Sequence, residues 1–313
     1  MGQYPFKISD FKLQKTTDSV TGEVIDYGVK MVGAPLEWGE TKGEAIRVGI
    51  IDTGVDCNHP DLKNRIVKTR NFVDADPASM CDENGHGTHV AGIVAASLNN
   101  FGVVGVAPGC DLYIAKAFLP DGNADGDAIK KALLWLMEEQ VHVINMSFAS
   151  KEYDPSYHLQ IKEAYQQGIT LVCAAGNSGT LPGDTIGYPA KFEECISVTA
   201  VDITKQHAKY SSRGRRADIA AAGTNILSCY PGGRFARLSG TSMATPIISG
   251  SAALLHKKAY NRMQRHLTPE EMRLVLSIYT EDLGGFGRDV EYGNGLFSFG
   301  RLNKMSENIK RIL

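Results

Sequence analysis

The sequence predicts an α/β fold, a mostly parallel central sheet flanked by helices on both faces. Three observations lead there. Short, continuous apolar runs recur along the chain, as strands buried on both faces require. Between them lie segments whose apolar residues repeat at helical spacing. The 313 residues, 43% of them hydrophobic, are enough to bury both faces of such a sheet in one large domain.

In chain order, residues 1–28 are polar and weakly patterned and read as a peripheral arm rather than core. The first apolar run, Ile46–Ile51, carries a single Arg. The runs Leu112–Phe118, Val141–Phe148, Ile169–Ala175 and Ile196–Val201 read the same way, as buried strands. Ile129, Ala132, Leu133, Leu136 and Met137 stand at i, i+3, i+4, i+7 and i+8, one stripe of a helix that Gly126-Asp127 introduces. His86–Ala96 and Met243–Tyr260 are further helices, rich in small residues that permit close packing. In a sheet wound this way, ligands bind at the carboxyl ends of the strands.

Bulk properties exclude several classes. The net charge of −2 comes with no basic run to serve a nucleic acid and no acidic tail. No stretch reaches the roughly 18 apolar residues of a membrane span. Met1–Asp10 has neither an apolar signal core nor a small-residue cleavage site, which points to the cytoplasm. Six scattered cysteines, at positions 57, 81, 110, 173, 195 and 229, form no C-x-x-C pair, and reduced thiols fit that compartment. Cys173 reads as plain core. Cys57, five residues from Asp52, reads as structural near a site.

Three glycine-flanked segments carry chemistry: Ile51-Asp52-Thr53-Gly54, Gly85-His86-Gly87-Thr88-His89 and Gly240-Thr241-Ser242-Met243-Ala244. A serine hydroxyl becomes a nucleophile when a base takes its proton and a third group orients that base. Asp52 follows a strand, while His86 and Ser242 each open a helix, so all three converge at one sheet edge. Asp52 fixes the His86 tautomer, with Asp56 and Asp61 as competing carboxylates in the following loop. Gly85 and Gly87 leave His86 room to swing. His86 and His89 also stand at a metal-pair spacing, but no carboxylate lies within that helix to complete a site, so His89 reads as packed. Gly240 allows a tight turn into the nucleophile, and Pro246 lies early enough in its helix for the missing N–H to cost little. At the helix start, the Ser242 N–H is one half of an oxyanion hole. Asn177, between glycines in Ala174-Ala175-Gly176-Asn177-Ser178-Gly179, supplies the other half.

Together the segments DTG, HGTHVAG, AAGN and GTSMATP, with GVAP at 105–108 and Gly187-Tyr188-Pro189, make the chain resemble the subtilisin family. Within it the likeness is greatest to bacterial intracellular subtilisins, through Gly28-Val29-Lys30, Ala34-Pro35, Trp38, His59-Pro60-Asp61-Leu62 and Gly293-Asn294-Gly295. The resemblance implies a subtilisin-like fold and a cytoplasmic serine endopeptidase that degrades or processes proteins. A dedicated processing enzyme and a non-catalytic peptide-binding scaffold are the alternatives, the latter disfavoured because no triad residue is lost.

The same resemblance implies further features. Protein or peptide substrates add as a strand between Gly122-Asn123 and Ser147-Phe148-Ala149. Ala174, Ala175, Gly176 and Gly187 line the first specificity pocket, whose small, uncharged lining suits a large apolar side chain. The family's Ser-Leu-Gly-Gly is Ser147-Phe148-Ala149-Ser150 here, a change that narrows that wall. Thr245-Pro246-Ile247 and Ala221-Ala222-Gly223 are departures read as structural. Structural calcium is implied at Asp61 and Asn99, with carbonyls of Ser97–Gly102. The family's inhibitory Leu-Ile-Pro-Tyr extension has its nearest match in Gln3-Tyr4-Pro5-Phe6, so residues 1–20 are expected to be a removable, zymogen-like extension and 21–313 the catalytic domain. Pairing into a homodimer is also implied.

Overall fold

Nine strands build the central sheet of the computed structural model, which describes residues 6–8, 11–73 and 79–301. The arm comes first, with β1 (Phe6–Lys7), β2 (Lys12–Thr17) and β3 (Glu23–Val24), followed by the short helix α1 (Tyr27–Met31). Next are β4 (Arg47–Asp52), β5 (Ile66–Asn71), α2 (His86–Ala95), β6 (Gly102–Val103), β7 (Asp111–Lys116), β8 (Asn123–Ala124) and α3 (Gly126–Glu138). The middle of the chain holds β9 (Val143–Met146), α4 (Pro155–Gln166), β10 (Thr170–Ala174), β11 (Cys195–Val201) and β12 (Ile219–Ala222). Last come the hairpin β13 (Ile226–Tyr230) and β14 (Arg234–Ser239), α5 (Thr241–Met263), α6 (Pro269–Ile278), β15 (Thr280–Glu281) and β16 (Leu296–Phe297).

The central sheet has the order β15-β16-β12-β11-β10-β9-β4-β7-β5, and every pairing but β15–β16 is parallel. Buried side chains of α2 and α5 fill one face, and those of α3 and α4 fill the other. The expected stripe Ile129, Ala132, Leu133, Leu136 and Met137 is buried, and Asp125 rather than Gly126 caps its helix through the Asp127 N–H. Gly49 in β4 lets α3 approach closely, because a Cβ there would lie 2.8 Å from Leu136. Helix α2 is buried from end to end, which its small residues permit.

The expected strands are present with trimmed ends. Val141–Phe148 shortens to β9, which ends before the buried Ser147 and Phe148. One expectation fails and one strand was passed over. The arm is not wholly peripheral, since Phe6 and Ile8 are buried. Polar β5 is a sheet edge with no continuous apolar run to announce it. No helix among the described residues is long and apolar enough to cross a membrane.

Candidate active site

Strand β4 delivers Asp52 to its carboxyl end, fully buried. Asp52 Oδ1 accepts from the Thr53 N–H at 2.8 Å and lies 2.8 Å from His86 Nδ1, which is 3.0 Å from Oδ2. A carboxylate only accepts, so Nδ1 carries the proton and Nε2 keeps its lone pair. That Nε2 is buried and has no hydrogen-bond partner among the described residues. The glycines beside His86 serve close approach instead of swing. Gly85 has φ 91 and lies against the Tyr230 ring, while Gly87 packs on Gly54 and Asp52, so His86 is held without exposure.

A residue that sequence reasoning passed over holds this corner together. Buried Asp82 accepts from Thr53 Oγ1 and the Gly85 N–H at 2.8 Å each, and from the Thr88 N–H and Oγ1 at 2.8 and 2.6 Å. It ties the end of β4 to the start of α2, the two elements that supply Asp52 and His86. An acidic residue four positions before the histidine was its signal. His89 is packed as expected, its Nε2 3.0 Å from the Ile226 carbonyl, and burial lowers its pKa to about 3.

Ser242 is the second residue of α5 and is fully buried. Its Oγ donates to the Ser147 carbonyl at 3.0 Å, while Ser147 Oγ donates to the Ser242 carbonyl at 3.0 Å. Pro246 explains the second bond. Lying inside the helix, it cannot offer an N–H to the carbonyl four residues back, and Ser147 fills the gap. The missing N–H is therefore not idle, as its early position had implied. Ser249 extends the chain of donors, giving to Asn145 Oδ1 at 2.8 Å, and Asn145 Nδ2 gives to Ser147 Oγ at 2.9 Å.

Asn177 Oδ1 accepts from the Thr241 N–H and Oγ1, each at 3.0 Å. A backbone N–H can only donate, so Oδ1 is fixed on the α5 side and Nδ2 is left on the other side of the amide. A Cβ on Gly240 would lie 3.1 Å from Nδ2. Gly240 itself is extended, with φ 166, so its need for glycine is space beside Asn177, not a tight turn.

The two expected substrate edges face each other, and the arm lies between them. β1 pairs antiparallel with β8, Phe6 opposite Ala124 and Lys7 opposite Asn123. On its other side, Lys7 bridges Ala149, with the Ala149 N–H donating to the Lys7 carbonyl at 3.1 Å. The Ile8 N–H donates to the Gly122 carbonyl at 2.8 Å. The Phe6 ring packs edge-on to Phe148 and Tyr157, with centroids 5.9 and 5.0 Å away. Phe11 places its ring 5.1 Å from the His86 imidazole. Gln3, Tyr4 and Pro5 lie outside the described residues.

The residues expected to line the pocket are held by backbone hydrogen bonds. Ala174 ends β10, the Ala175 N–H donates to Val198 at 3.0 Å, and the Gly187 N–H donates to Ala175 at 3.0 Å. Gly176, at φ 107, receives the Ser212 N–H on its carbonyl at 2.8 Å. Ser150 and Tyr188 exchange two backbone bonds of 2.8 Å.

Asp61 and Asn99 lie together away from the triad. Asp61 is buried, accepting from Asn99 Nδ2 at 3.1 Å and from the Val103 N–H at 2.9 Å. Glu23, which sequence reasoning passed over, accepts from the Asn99 and Asn100 N–H groups at 2.7 Å each. Burial raises the Asp61 pKa, and Glu23 adds to the rise. Asp61 and Glu23 offer carboxylate oxygens of the kind calcium takes, while Asn99 turns its Nδ2 to Asp61 and its Oδ1 accepts from the Phe101 N–H at 3.0 Å. Gly102, at φ 63, leaves room against Asp61 that a Cβ would fill. His59 and Cys229 are close by, but both His59 nitrogens are engaged, by the Asp61 N–H at 3.2 Å and the Arg234 carbonyl at 2.9 Å. All six cysteines are free thiols, and burial raises the Cys57 pKa, which disfavours its thiolate.

Comparison with known proteins identifies the family. Residues 43–295 match the subtilase family. An intracellular serine protease of Paenibacillus polymyxa is 40% identical over 287 residues, covering 90% of this chain and 87% of the relative. The major intracellular serine protease of Bacillus subtilis (strain 168) is 38% identical, covering 78% and 79%. Subtilisin DY of Bacillus licheniformis is 38% identical, covering 88% and 97%.

Proposed function

Because this chain belongs to the subtilase family and is a serine endopeptidase, we propose that Asp52, His86 and Ser242 are its catalytic triad and that residues 1–20 inhibit it until they are removed. The observation that carries the first part is the His86 Nδ1 bond to Asp52, which leaves a buried Nε2 without a hydrogen-bond partner and able, in the neutral ring, to take a proton. Ser242 Oγ leaves Ser147, gives its proton to Nε2 and attacks the scissile carbonyl carbon. The oxyanion is held by Asn177 Nδ2 and the Ser242 N–H, both fixed before the substrate arrives. Loss of one such donor costs on the order of 100- to 1,000-fold in turnover, a figure established on a subtilisin. His86 then protonates the leaving amine, and water releases the acyl group from Ser242 by the same path.

The arm supports the second part. It pairs with both edges a substrate would use, buries Phe6 and Ile8 there, and covers His86 with Phe11. A strand held this way competes directly with substrate. Glu23, Asp61 and Asn99 would hold calcium, which bound would pin the end of the arm segment to the loop after α2. The relatives' name, intracellular serine protease, supports action on proteins inside the cell. Digestion of casein tests the reading. The wild-type chain should cut it after a lag that shortens when residues 1–20 are deleted, and Ser242→Ala should abolish cutting. Casein left intact by the arm-deleted chain would contradict it.

A further inference from the structure

We propose that Cys57 and Cys81 form a thiol-exchange site, at which a low-molecular-weight disulfide loads Cys81 and reversibly slows the peptidase. The exchange step stands apart from the protease reading above, and its effect on turnover rests on that reading.

A cavity of about 810 Å³ opens beside the catalytic corner. Three segments line it: the turn after β4 with Cys57, the segment Met80–Asp82 with Cys81, and the β13–β14 turn at Gly232. The thiols that solvent reaches both lie here. Cys110, Cys173, Cys195 and Cys229 are buried, whereas Cys81 is exposed and Cys57 half-buried. The volume falls in the range of roughly 300–1,000 Å³ that seats small molecules, so there is room for a group the size of glutathione on sulfur.

The chemistry is thiol–disulfide exchange. The Cys81 thiol gives its proton to solvent, and its sulfur attacks one sulfur of R–S–S–R. The Cys81–S–R bond forms, the S–S bond breaks, and R–S⁻ leaves with the electron pair and is protonated by water. Cys81 is thereby oxidised and half of the small disulfide reduced. Cys81 reacts first because it is the exposed thiol, while burial and the neighbouring Asp56 carboxylate raise the Cys57 pKa. Cys57 shares the space with the loaded group. Attack by its thiolate on the Cys81 sulfur would expel R–S⁻ and leave a Cys57–Cys81 bridge.

Each wall of the cavity is tied to the start of α2, where His86 sits. Asp82 follows Cys81 in the chain and accepts from the Gly85 N–H and from Thr88. The Asp56 N–H donates to Thr88 Oγ1 at 3.0 Å. Tyr230, ahead of the third wall, donates its hydroxyl to the Asn84 carbonyl at 3.3 Å. Asp56 Oδ2 also accepts from the Gly232 and Gly233 N–H groups at 3.0 Å each, joining the first wall to the third. The Cys81 segment cannot retreat. Its carbonyl accepts from Lys116 Nζ at 2.9 Å, and the Met80 carbonyl accepts from the Val55 N–H at 3.1 Å. A group loaded on Cys81 therefore presses on the braces of His86. The described residues lining the cavity include none of β8 or of Ser147–Ala149, so the loss falls on kcat and not on KM.

The test is incubation of the full-length chain with glutathione disulfide, followed by intact-mass spectrometry, peptide mapping and peptide kinetics with and without dithiothreitol. One glutathione should appear on Cys81 and be absent from Cys81→Ser. Turnover should fall by roughly 10- to 100-fold, the scale of a misplaced catalytic group, with KM little changed and full recovery in dithiothreitol. Cys81→Ser should keep its activity in the disulfide. Passage of the adduct into a Cys57–Cys81 bridge, abolished by Cys57→Ser, supports the site equally. Cys81 left unmodified, or loaded with kcat unchanged, overturns the proposal. Ser242→Ala should load Cys81 as the wild type does, so a wild-type chain that loads but never cuts would overturn the protease reading and leave the exchange site standing.

Discussion

Ser147 and Ser242 exchange two hydrogen bonds of 3.0 Å, each hydroxyl donating to the other residue's backbone carbonyl. One of these bonds replaces the helical N–H that Pro246 cannot supply, and the other parks the nucleophile while the arm fills the cleft. Ser147→Ala removes the first. It leaves the Ser242 carbonyl and Asn145 Nδ2 without a buried partner, so it should cost about 1–3 kcal/mol in stability. Turnover should fall with it, because the start of α5 loses its tether. Ser249→Ala touches Asn145 but not Ser242, so it should lower the melting temperature with little change in kcat. Thermal melts and kinetics on one peptide distinguish the two variants.

This relationship was invisible in the sequence, and the reason is physical. The Asp52–His86 pair was legible because each member sits in a local motif where glycine is needed, at Gly85 and Gly87 above all. The parallel strands were legible because burial on both faces leaves continuous apolar runs. The Ser147 tether exists only where the ends of β9 and α5 meet, 95 residues apart in the chain. Asp82 drew no reading from the sequence, because its partners Thr53, Gly85 and Thr88 close around it only in the fold. Edge strand β5 carries Lys and Arg on an exposed face, so no apolar run marks it. The arm conceals two buried side chains, Phe6 and Ile8, in a polar stretch.

Calcium removal should destabilise the protein. If Glu23, Asp61 and Asn99 hold the ion, EGTA should lower the melting temperature by roughly 5 °C or more, as loss of a tightly bound ligand of the native state requires. Asp61→Asn should remove most of that response, and Glu23→Gln should weaken it. An identical melt with and without EGTA would argue against calcium at this site.

Acid should destabilise the fold through buried histidines. His142, His256 and His266 cluster at the amino-terminal end of the sheet, ring centroids 4.2 to 6.0 Å apart, with Tyr260 stacked on His266. Burial, each other's presence and the cations Arg47 and Lys257 lower their pKa values, His142 to about 4 and His256 to about 3. His89, buried beside His86, falls to about 3. Folded values below the ordinary 6.5 mean that the unfolded chain binds more protons between them. The stability is therefore complete above pH 6.5 and is lost as pH falls toward the folded values. Fully buried His89 and His256 should each contribute a loss of about 1.4 kcal/mol per pH unit in that window. Denaturant midpoints measured at pH 7, 6 and 5 should fall steeply, and His256→Leu should flatten the fall.

The central claim is that a complete triad sits under a competing strand, and intact-mass spectrometry with a fluorophosphonate probe tests it most directly. The full-length chain should label slowly. Phe6→Ala, which gives up an anchor worth about 1.5–3 kcal/mol of burial, should label roughly 10- to 100-fold faster, as should the chain lacking residues 1–20. In every case there should be one adduct, at Ser242, absent from His86→Ala. Equal labelling rates in all three forms would contradict the arm's inhibitory role, and no adduct in the shortened chain would contradict the triad itself.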